Sequence, residues 1–447
     1  MRRLRASGMT VVVATLAAVS IATATVASAA GGGGDQALEA TDVGVTADEI
    51  RIAVLADVEN DLQPGLFQGT PDAMQGFEEY INDQGGLAGR KLVVDFIDSH
   101  LDADETRNAI VEACENDFAL VATTSLFLNN IDDMVECVNA DGVAVGLPDF
   151  PVLTTEPAHQ CSPVSHPITP PALDCATIDD HPQTYRANTG PTSYYLEQHD
   201  DDLSGVFLYP SDLKSAKDAQ LPAFMGQEEK GIKVDAEYDL SARAQQSAYT
   251  PIAQQMKEDG ATYARSGLAF SSTVSLRKEA KLQGVNSVEV WDCWVACYTG
   301  QLLEQGGSDV EDQYVSLNLV PFFDEAKANK MTSNFVKYTG KDEVDGFGAQ
   351  AWAAGVYFRD TVNAVVEAGG NNAVTREAVL QAAEGINDFT ADGMMGSTDV
   401  GDRVPSSCFA LLQVQDGDFK RIHPKEKASF DCKKSNRVML QLDLITG

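Results

Sequence analysis

Basic residues are scarce in this sequence, which has 32 Lys and Arg against 67 Asp and Glu and a formal net charge of −35. A chain this acidic repels the phosphate backbone of nucleic acids, and it repels anionic membrane surfaces for the same reason. We therefore expect no nucleic-acid partner and interpret the acidity as a contribution to solubility. Beyond the N-terminal segment, no stretch reaches the roughly eighteen continuous apolar residues of a membrane-spanning helix, so we expect a soluble mature chain.

Familiar catalytic motifs are also missing. The sequence contains no Gly-x-Ser-x-Gly elbow, no His-Glu-x-x-His and no P-loop. Residues 346–351 formally fit a dinucleotide fingerprint, but they follow a charged segment where that motif needs a strand, so we interpret them as the approach to a helix. We expect a protein that is not an enzyme and uses no cofactor. A paired-carboxylate site stays open, because Asp and Glu are abundant, and an extracellular hydrolase is therefore one alternative.

The N-terminus is typical of a secretory signal peptide. Three arginines among the first five residues precede an apolar run, Val11–Ala24, and then the small residues Ala27–Ala29. A transmembrane anchor is the alternative, but the run is short for a hydrocarbon core of about 30 Å. We assign 1–29 to the signal peptide and 30–48, Gly-rich and then acidic, to a flexible tether. Because no Cys stands at the cleavage site, we expect an exported protein without a lipid anchor.

The sequence has eight cysteines, and an even number in an exported chain favours disulfides. Many connectivities are possible, and the spacing favours the simplest one, in which each cysteine pairs with its neighbour in sequence. Each bridge would stabilise the fold by about 2–4 kcal/mol. The predicted pairs are Cys114–Cys137, Cys161–Cys175, Cys293–Cys297 and Cys408–Cys432.

A Pro-rich stretch, 151–191, holds His159, His166 and His181 beside two of these cysteines. Mixtures of His and Cys can bind zinc, but the spacing matches no familiar zinc pattern. We therefore favour a loop closed by a disulfide and predict no metal site.

Strand and helix patterns alternate on both sides of this stretch. Ile50–Leu55 and Ser204–Tyr209 are apolar runs suited to buried strands, and each precedes a helical pattern. We also predict a helix over 126–139, a strand over 143–147 and a C-terminal hairpin over 408–422. Alternation with short loops indicates parallel sheets covered by helices, so the fold class is α/β.

Several segments, in order, resemble one known family. They include Ala47–Leu55, the stretch INDQGGLAGRKL at Ile81–Leu92, the segment Cys114–Cys137 around Thr123-Thr124-Ser125, and the hairpin that begins at Gln413. The chain resembles type I periplasmic solute-binding proteins of ABC transporters, in the leucine/isoleucine/valine-binding branch. The resemblance implies two doubly wound α/β lobes with parallel sheets, joined by three crossovers. Lobe one would comprise 49–187 plus 318–394, and lobe two 188–317 plus 395–447.

The resemblance also implies a ligand held between the lobes, with contacts at strand ends. Thr124 and Ser125 would bind a carboxylate, Asp149 or Asp292 would pair with an ammonium group, and Tyr209 would cover an apolar side chain. Helix capping, solvated turns and packing within a lobe are the structural alternatives for these residues. The predicted ligand-binding residues are Phe67, Gln68, Thr124, Ser125, Leu147, Asp149, Tyr209, Ser211, Ser271, Asp292 and Trp294.

The resemblance points to a monomeric receptor that delivers a small polar solute to an ABC transporter permease. An amino acid of the branched-chain type, or a related solute, is the expected small-molecule ligand. An exported sensor that signals to a membrane receptor would use the same trap, and the sequence does not separate the two functions.

Overall fold

The computed structural model describes residues 37–200 and 202–445. The predicted signal peptide and the first part of the predicted tether lie outside the described residues. The strands are β1 (Glu49–Ala56), β2 (Lys91–Asp98), β3 (Ala119–Val121), β4 (Asp149–Phe150), β5 (Gln183–Asn188), β6 (Ser204–Pro210), β7 (Lys233–Leu240), β8 (Tyr263–Ser266), β9 (Val290–Cys293), β10 (Gln313–Leu317), β11 (Ala410–Gln415), β12 (Asp418–His423) and β13 (Arg437–Leu442). The helices are α1 (Gly69–Asp83), α2 (Ala103–Asn116), α3 (Asp132–Val135), α4 (Pro157–Gln160), α5 (Gly190–Gln198), α6 (Lys214–Lys230), α7 (Thr250–Asp259), α8 (Phe270–Gln283), α9 (Gly300–Gly306), α10 (Phe322–Glu325), α11 (Lys330–Thr339), α12 (Gly346–Gly369) and α13 (Arg376–Ala383).

Lobe one is built on a parallel sheet in the order β2-β1-β3-β4. Strand β1 is largely buried, as a strand covered by helices on both faces should be. Helices α1 and α12 pack together against this sheet, and the rings of Phe77 and Trp352 meet edge to face at 5.2 Å. Gly355 allows this approach, because a Cβ there would lie 2.8 Å from the Phe77 ring.

Lobe two is built on a seven-stranded sheet in the order β12-β11-β10-β9-β8-β6-β7. Strands β6 to β10 run parallel, whereas β11 and β12 form the antiparallel hairpin that the sequence predicts. Gly205 lies so close to β8 that a Cβ would be 1.7 Å from the carbonyl oxygen of Tyr263. The sheet of this lobe is therefore mixed, with a parallel body and an antiparallel edge.

The chain passes between the lobes three times. It enters the second sheet at β6, returns after β10 to place α11, α12 and α13 in lobe one, and leaves again to form β11. The last passage falls later than the predicted boundary at residue 395. Met395 pairs with Leu319, and Thr398 pairs with Phe389, so this segment still belongs to lobe one. Strand β13 pairs with β5 in a separate two-stranded sheet.

The cysteines form the four predicted pairs: Cys114–Cys137, Cys161–Cys175, Cys293–Cys297 and Cys408–Cys432. Cys161 and Cys175 are bonded to each other, so neither offers a thiolate to the zinc ion considered as an alternative for the Pro-rich stretch. His159 in the same stretch lies 2.8 Å from a carboxylate oxygen of Asp149.

The predicted flexible tether, residues 30–48, is wrong for its second half. Residues from 38 onward pack on lobe one, where Val45 is buried and pairs with Ile50. The Asp42 carboxylate accepts a hydrogen bond of 2.7 Å from the backbone N–H of Arg376. Partners more than three hundred residues away in sequence therefore hold this segment in place.

The helix predicted over 126–139 is also wrong, since only Asp132–Val135 is helical. The backbone N–H of Leu126 donates to Asp57 at 2.7 Å, and its carbonyl accepts from Thr155 at 3.0 Å, so tertiary partners replace the helical ones. The strand predicted over 143–147 is absent as well, and β4 begins only at Asp149. Gly146 there has a φ of +89°, which a regular strand does not accommodate. Among the described residues, no helix has both the length and the hydrophobicity to cross a bilayer.

Candidate functional site

A cavity of about 400 Å³ lies between the two lobes. A volume of this size is in the usual range for small-molecule sites. Lobe one contributes the loop between β1 and α1, including Phe67, and the segment 152–155 that follows β4. Lobe two contributes Leu213, the first half of α6 and the segment that follows β8. The cavity therefore joins loops at the ends of parallel strands from both sheets, as expected for α/β folds.

Apolar side chains form most of the cavity wall. The apolar lining residues include Leu62, Leu66, Phe67, Leu101, Leu126, Val152, Leu153, Leu173, Leu213, Ala216, Ala219, Ala223, Leu268, Ala269, Trp294 and Phe347. Contact with such a wall removes apolar ligand surface from water, at about 25 cal/mol per Å². The geometry therefore favours a solute with an apolar body.

Three aromatic rings connect the lobes at the cavity wall. Phe347, in the first turn of α12, meets Phe67 edge to face at 4.9 Å and Trp294 at 5.8 Å. Phe67 belongs to lobe one, and Trp294 follows β9 in lobe two. All three rings line the cavity.

Asp345 caps the helix that carries Phe347. Its carboxylate accepts a 2.7 Å hydrogen bond from the backbone N–H of Gly348. The carboxylate packs directly on Gly69, where a Cβ would lie 2.2 Å from its oxygen. Burial raises the pKa of this carboxyl group to about 6, although the residue as a whole is partly exposed. Asp345 thus fixes the start of α12 against the start of α1.

Asp292, on β9, organises a buried polar network beneath the lobe two wall. One carboxylate oxygen accepts from the Tyr195 hydroxyl at 2.9 Å. The other accepts from Tyr263 at 2.7 Å, Gln227 at 3.1 Å and the guanidinium of Arg265 at 2.7 Å. Burial and the charge of Asp292 hold the pKa of both tyrosines well above the ordinary value, so they remain donors. Asp292 does not line the cavity, whereas Arg265 does.

Asp149, on β4, is the corresponding buried acid of lobe one. It accepts from the Thr123 hydroxyl at 2.6 Å and the Ser165 hydroxyl at 2.8 Å, and His159 Nε2 lies 2.8 Å from the same carboxylate. The side chain is fully buried and does not line the cavity. Its hydrogen bonds satisfy a charge that would otherwise be costly to bury.

A comparison with known sequences decides the family. The family model described as periplasmic binding protein matches residues 49–418, which is most of the chain. The chain belongs to the periplasmic binding protein family. No individually curated protein matches it.

Solved structures of two ABC transporter substrate-binding proteins and of a leucine-binding protein share the fold. A fatty acid ABC transporter substrate-binding protein from Thermomonospora curvata has a TM-score of 0.65 at 15% identity, covering 88% of this chain and 95% of that chain. An ABC transporter substrate-binding protein from Aeropyrum pernix has a TM-score of 0.65 at 14% identity, covering 87% and 97%. A leucine-binding protein from Thermotoga maritima has a TM-score of 0.59 at 15% identity, covering 83% and 97%. These likenesses show the type I periplasmic binding protein fold.

Of the predicted ligand-binding residues, Phe67 and Trp294 line the cavity of this periplasmic binding protein. Gln68 lines a neighbouring polar pocket that shares Leu62 and Leu101 with the cavity. Trp294 Nε1 is buried and finds no hydrogen-bond partner in the described part of the chain.

The predicted carboxylate-binding pair lies beneath the lobe one wall. Thr124 and Ser125 are buried, and the Ser125 hydroxyl lies 2.9 Å from that of Thr106. The backbone N–H of Thr124 donates to the carbonyl of Leu55 at 2.8 Å. Leu147 is buried in the core of the same lobe. None of these three predicted residues lines the cavity.

The remaining predicted residues of lobe two lie next to the cavity without lining it. Tyr209 is buried and donates to Glu237 at 2.9 Å, while the following Pro210 lines the cavity. Ser211 and Ser271 do not line it, although Asp212, next to Ser211, and Ala269, two residues before Ser271, do. Other residues of these loops line the cavity, and ligand contacts by Tyr209, Ser211 and Ser271 stay predictions.

Sequence reasoning missed Leu213, Phe347 and Arg265 as cavity residues. Arg265 had one signal, because it is a cation within the short, largely buried strand Tyr263–Ser266. Such a residue needs a buried partner or a ligand. Phe347 was hidden in a segment interpreted only as the approach to a helix.

One group of the described residues has the spacing of a metal site, formed by Glu59, Asp98 and His100. The Asp98 carboxylate already accepts from the backbone N–H groups of Val58, Glu59 and His100. His100 Nδ1 lies 2.9 Å from the carbonyl oxygen of Glu59. These hydrogen bonds connect the loop that follows β1 to the loop that follows β2. They account for the close approach of the three side chains without a metal ion.

Proposed function

We propose that this periplasmic binding protein captures a small solute with an apolar body between its lobes and delivers it to an ABC permease. The observation that carries the proposal is the cavity of about 400 Å³, which both lobes build mainly from apolar side chains. Closure of two lobes around a ligand is stabilised by contacts that the ligand makes to both at once. The solved structures named for fatty acid and leucine binding support a solute of this kind.

Branched-chain amino acids fit the apolar wall but also carry an ammonium group. The two acids expected to pair with that group, Asp149 and Asp292, are buried and bonded within their own lobes. We therefore place apolar carboxylic acids ahead of amino acids, and the screen below contains both classes.

A thermal-shift screen tests the proposal. The library contains straight-chain and branched carboxylic acids, branched-chain amino acids and, as polar controls, sugars of similar size. A solute present at a hundred times its dissociation constant stabilises the fold by about 2.7 kcal/mol, which raises Tm measurably. We expect shifts with members that have an apolar body and none with sugars. A library without any stabilising member would overturn the proposal.

Mass analysis of the same incubations separates binding from turnover. A binding protein returns the solute intact, whereas a hydrolase consumes it. Appearance of a product that depends on the protein would contradict the proposed role.

A further inference from the structure

The apolar cavity has one cation in its wall. Three charged side chains line the cavity among the described residues, and they are Asp212, Asp218 and Arg265. Asp218 pairs with Lys214, one turn away on α6. Asp212 is exposed at the rim and accepts a 2.6 Å hydrogen bond from the backbone N–H of Ala242. Lys214 thus pairs with Asp218, and a backbone N–H satisfies Asp212 at the exposed rim, which leaves Arg265 as the charge to explain.

The protein holds the Arg265 guanidinium in a fixed position. Nη1 donates to Asp292 at 2.7 Å, and the guanidinium carbon lies 4.9 Å from the ring centre of Phe224. The side chain is only 13% exposed, although one of its faces borders the cavity. A charged group held this firmly loses little further conformational entropy when a ligand binds.

Arg265 retains capacity to donate hydrogen bonds. A guanidinium has several N–H groups, and among the described residues Arg265 makes one hydrogen bond, from Nη1 to Asp292, while its Nε is enclosed without a partner. Asp292 also accepts from Tyr195, Tyr263 and Gln227, so this acid is satisfied even when Arg265 shares its charge with another acceptor. Among the described residues that line the cavity, Trp294 has a second enclosed donor without a partner, its Nε1. The guanidinium therefore retains N–H groups for a ligand that accepts hydrogen bonds at this wall.

We propose that the solute is an amphipathic monocarboxylate, whose carboxylate binds Arg265 while its apolar body lies along the leucine-rich wall. This inference rests on the proposed function and narrows its ligand class. A carboxylate matches the planar guanidinium and makes charge-assisted hydrogen bonds that a neutral group cannot equal. An isolated ammonium group would face Arg265 with the same sign of charge.

Calorimetric titration of the unaltered protein with three probes that share one alkyl chain tests the head group. The probes are sodium octanoate, octan-1-ol and octylamine. We expect octanoate to bind about 10- to 100-fold more tightly than octanol, because its carboxylate gains one charge-assisted hydrogen-bonding interaction with Arg265. We expect octylamine to bind most weakly of the three. Equal affinities for octanoate and octanol, or tighter binding of octylamine, would overturn the inference.

A pair of matched variants locates the head group. Arg265→Gln removes the guanidinium, and we expect octanoate to bind about 10- to 100-fold more weakly while octanol is unaffected. The control is Arg277→Gln, because Arg277 is another mostly buried cation of lobe two, stacked on Trp291 at 4.4 Å, outside the cavity. We expect the control to keep its affinity for octanoate. Equal losses in both variants would contradict a role for Arg265.

The screen distinguishes failure of this inference from failure of the proposed function. If octan-1-ol or octylamine binds and no carboxylate of the screen stabilises the protein, the ligand class is wrong while capture of a solute with an apolar body stands. If no solute of any class stabilises it, the proposed function itself fails, and this inference fails with it. Should Arg265→Gln not fold, the probe series on the unaltered protein still decides the question.

Discussion

Trp294 and Phe347 meet edge to face with ring centroids 5.8 Å apart, and this contact links a strand end of lobe two to a helix of lobe one. Phe347 also contacts Phe67, so its ring lies between aromatic groups from both lobes. Aromatic pairs of this kind contribute about 0.5–1.5 kcal/mol beyond the area that they bury. The three rings shape the cavity at the place where the lobes are joined.

Replacing this central ring should weaken solute binding. Phe347→Ala removes both ring contacts and enlarges the cavity, so we expect affinity for the solute found in the screen to fall about tenfold or more. The control is Phe335→Ala, since Phe335 is buried in lobe one and packs on Trp352 at 5.8 Å. Both variants should lose stability in urea, but titration calorimetry should show the affinity loss in Phe347→Ala alone. Unchanged affinity in that variant would remove the ring from the site.

The buried carboxyl of Asp345 should give the fold a measurable pH dependence. Its pKa is raised to about 6 in the folded state, so the folded protein retains a proton that the unfolded chain has already lost. The free energy of unfolding should therefore fall as pH rises from about 4 to 6, and stay at the lower value above that window. Asp345→Asn does not titrate and can still cap α12.

Urea unfolding at pH 4 and pH 8 measures this effect. At each pH, the free energy of unfolding of the unaltered protein is subtracted from that of Asp345→Asn. We expect this difference to be about 2–3 kcal/mol larger at pH 8 than at pH 4. Other titrating groups contribute equally to both proteins and cancel in the difference. A difference that is the same at both pH values would show that Asp345 ionises normally.

Local patterns in the sequence predicted much of the fold. The apolar run of β1, the hairpin β11–β12 and the pairing of neighbouring cysteines depend on residues close together in the chain. The structure contains each of them. The loops that meet at the cavity also follow from the strand and helix order, because the carboxyl ends of parallel strands share one edge of a sheet.

Features that depend on distant partners were not predictable in this way. The segment around Asp42 has the composition of a tether, yet Arg376 holds it in place. Asp149 and Asp292 follow the strand pattern of ligand-binding acids, yet hydroxyl, amide and guanidinium groups from other elements saturate them. Sequence shows that an acid stands near a strand end, but only the packed structure shows which way its carboxylate points.

The position of the solute between the lobes is tested most directly by filling the cavity from one wall. Ala219, on α6, lines the cavity, whereas Ser215 on the same helix does not, and both are half-buried. Titration calorimetry of Ala219→Trp and Ser215→Trp with the solute found in the screen compares the two positions. We predict that Ala219→Trp abolishes binding and that Ser215→Trp retains it. Full affinity in a folded Ala219→Trp protein would place the solute elsewhere and contradict the account.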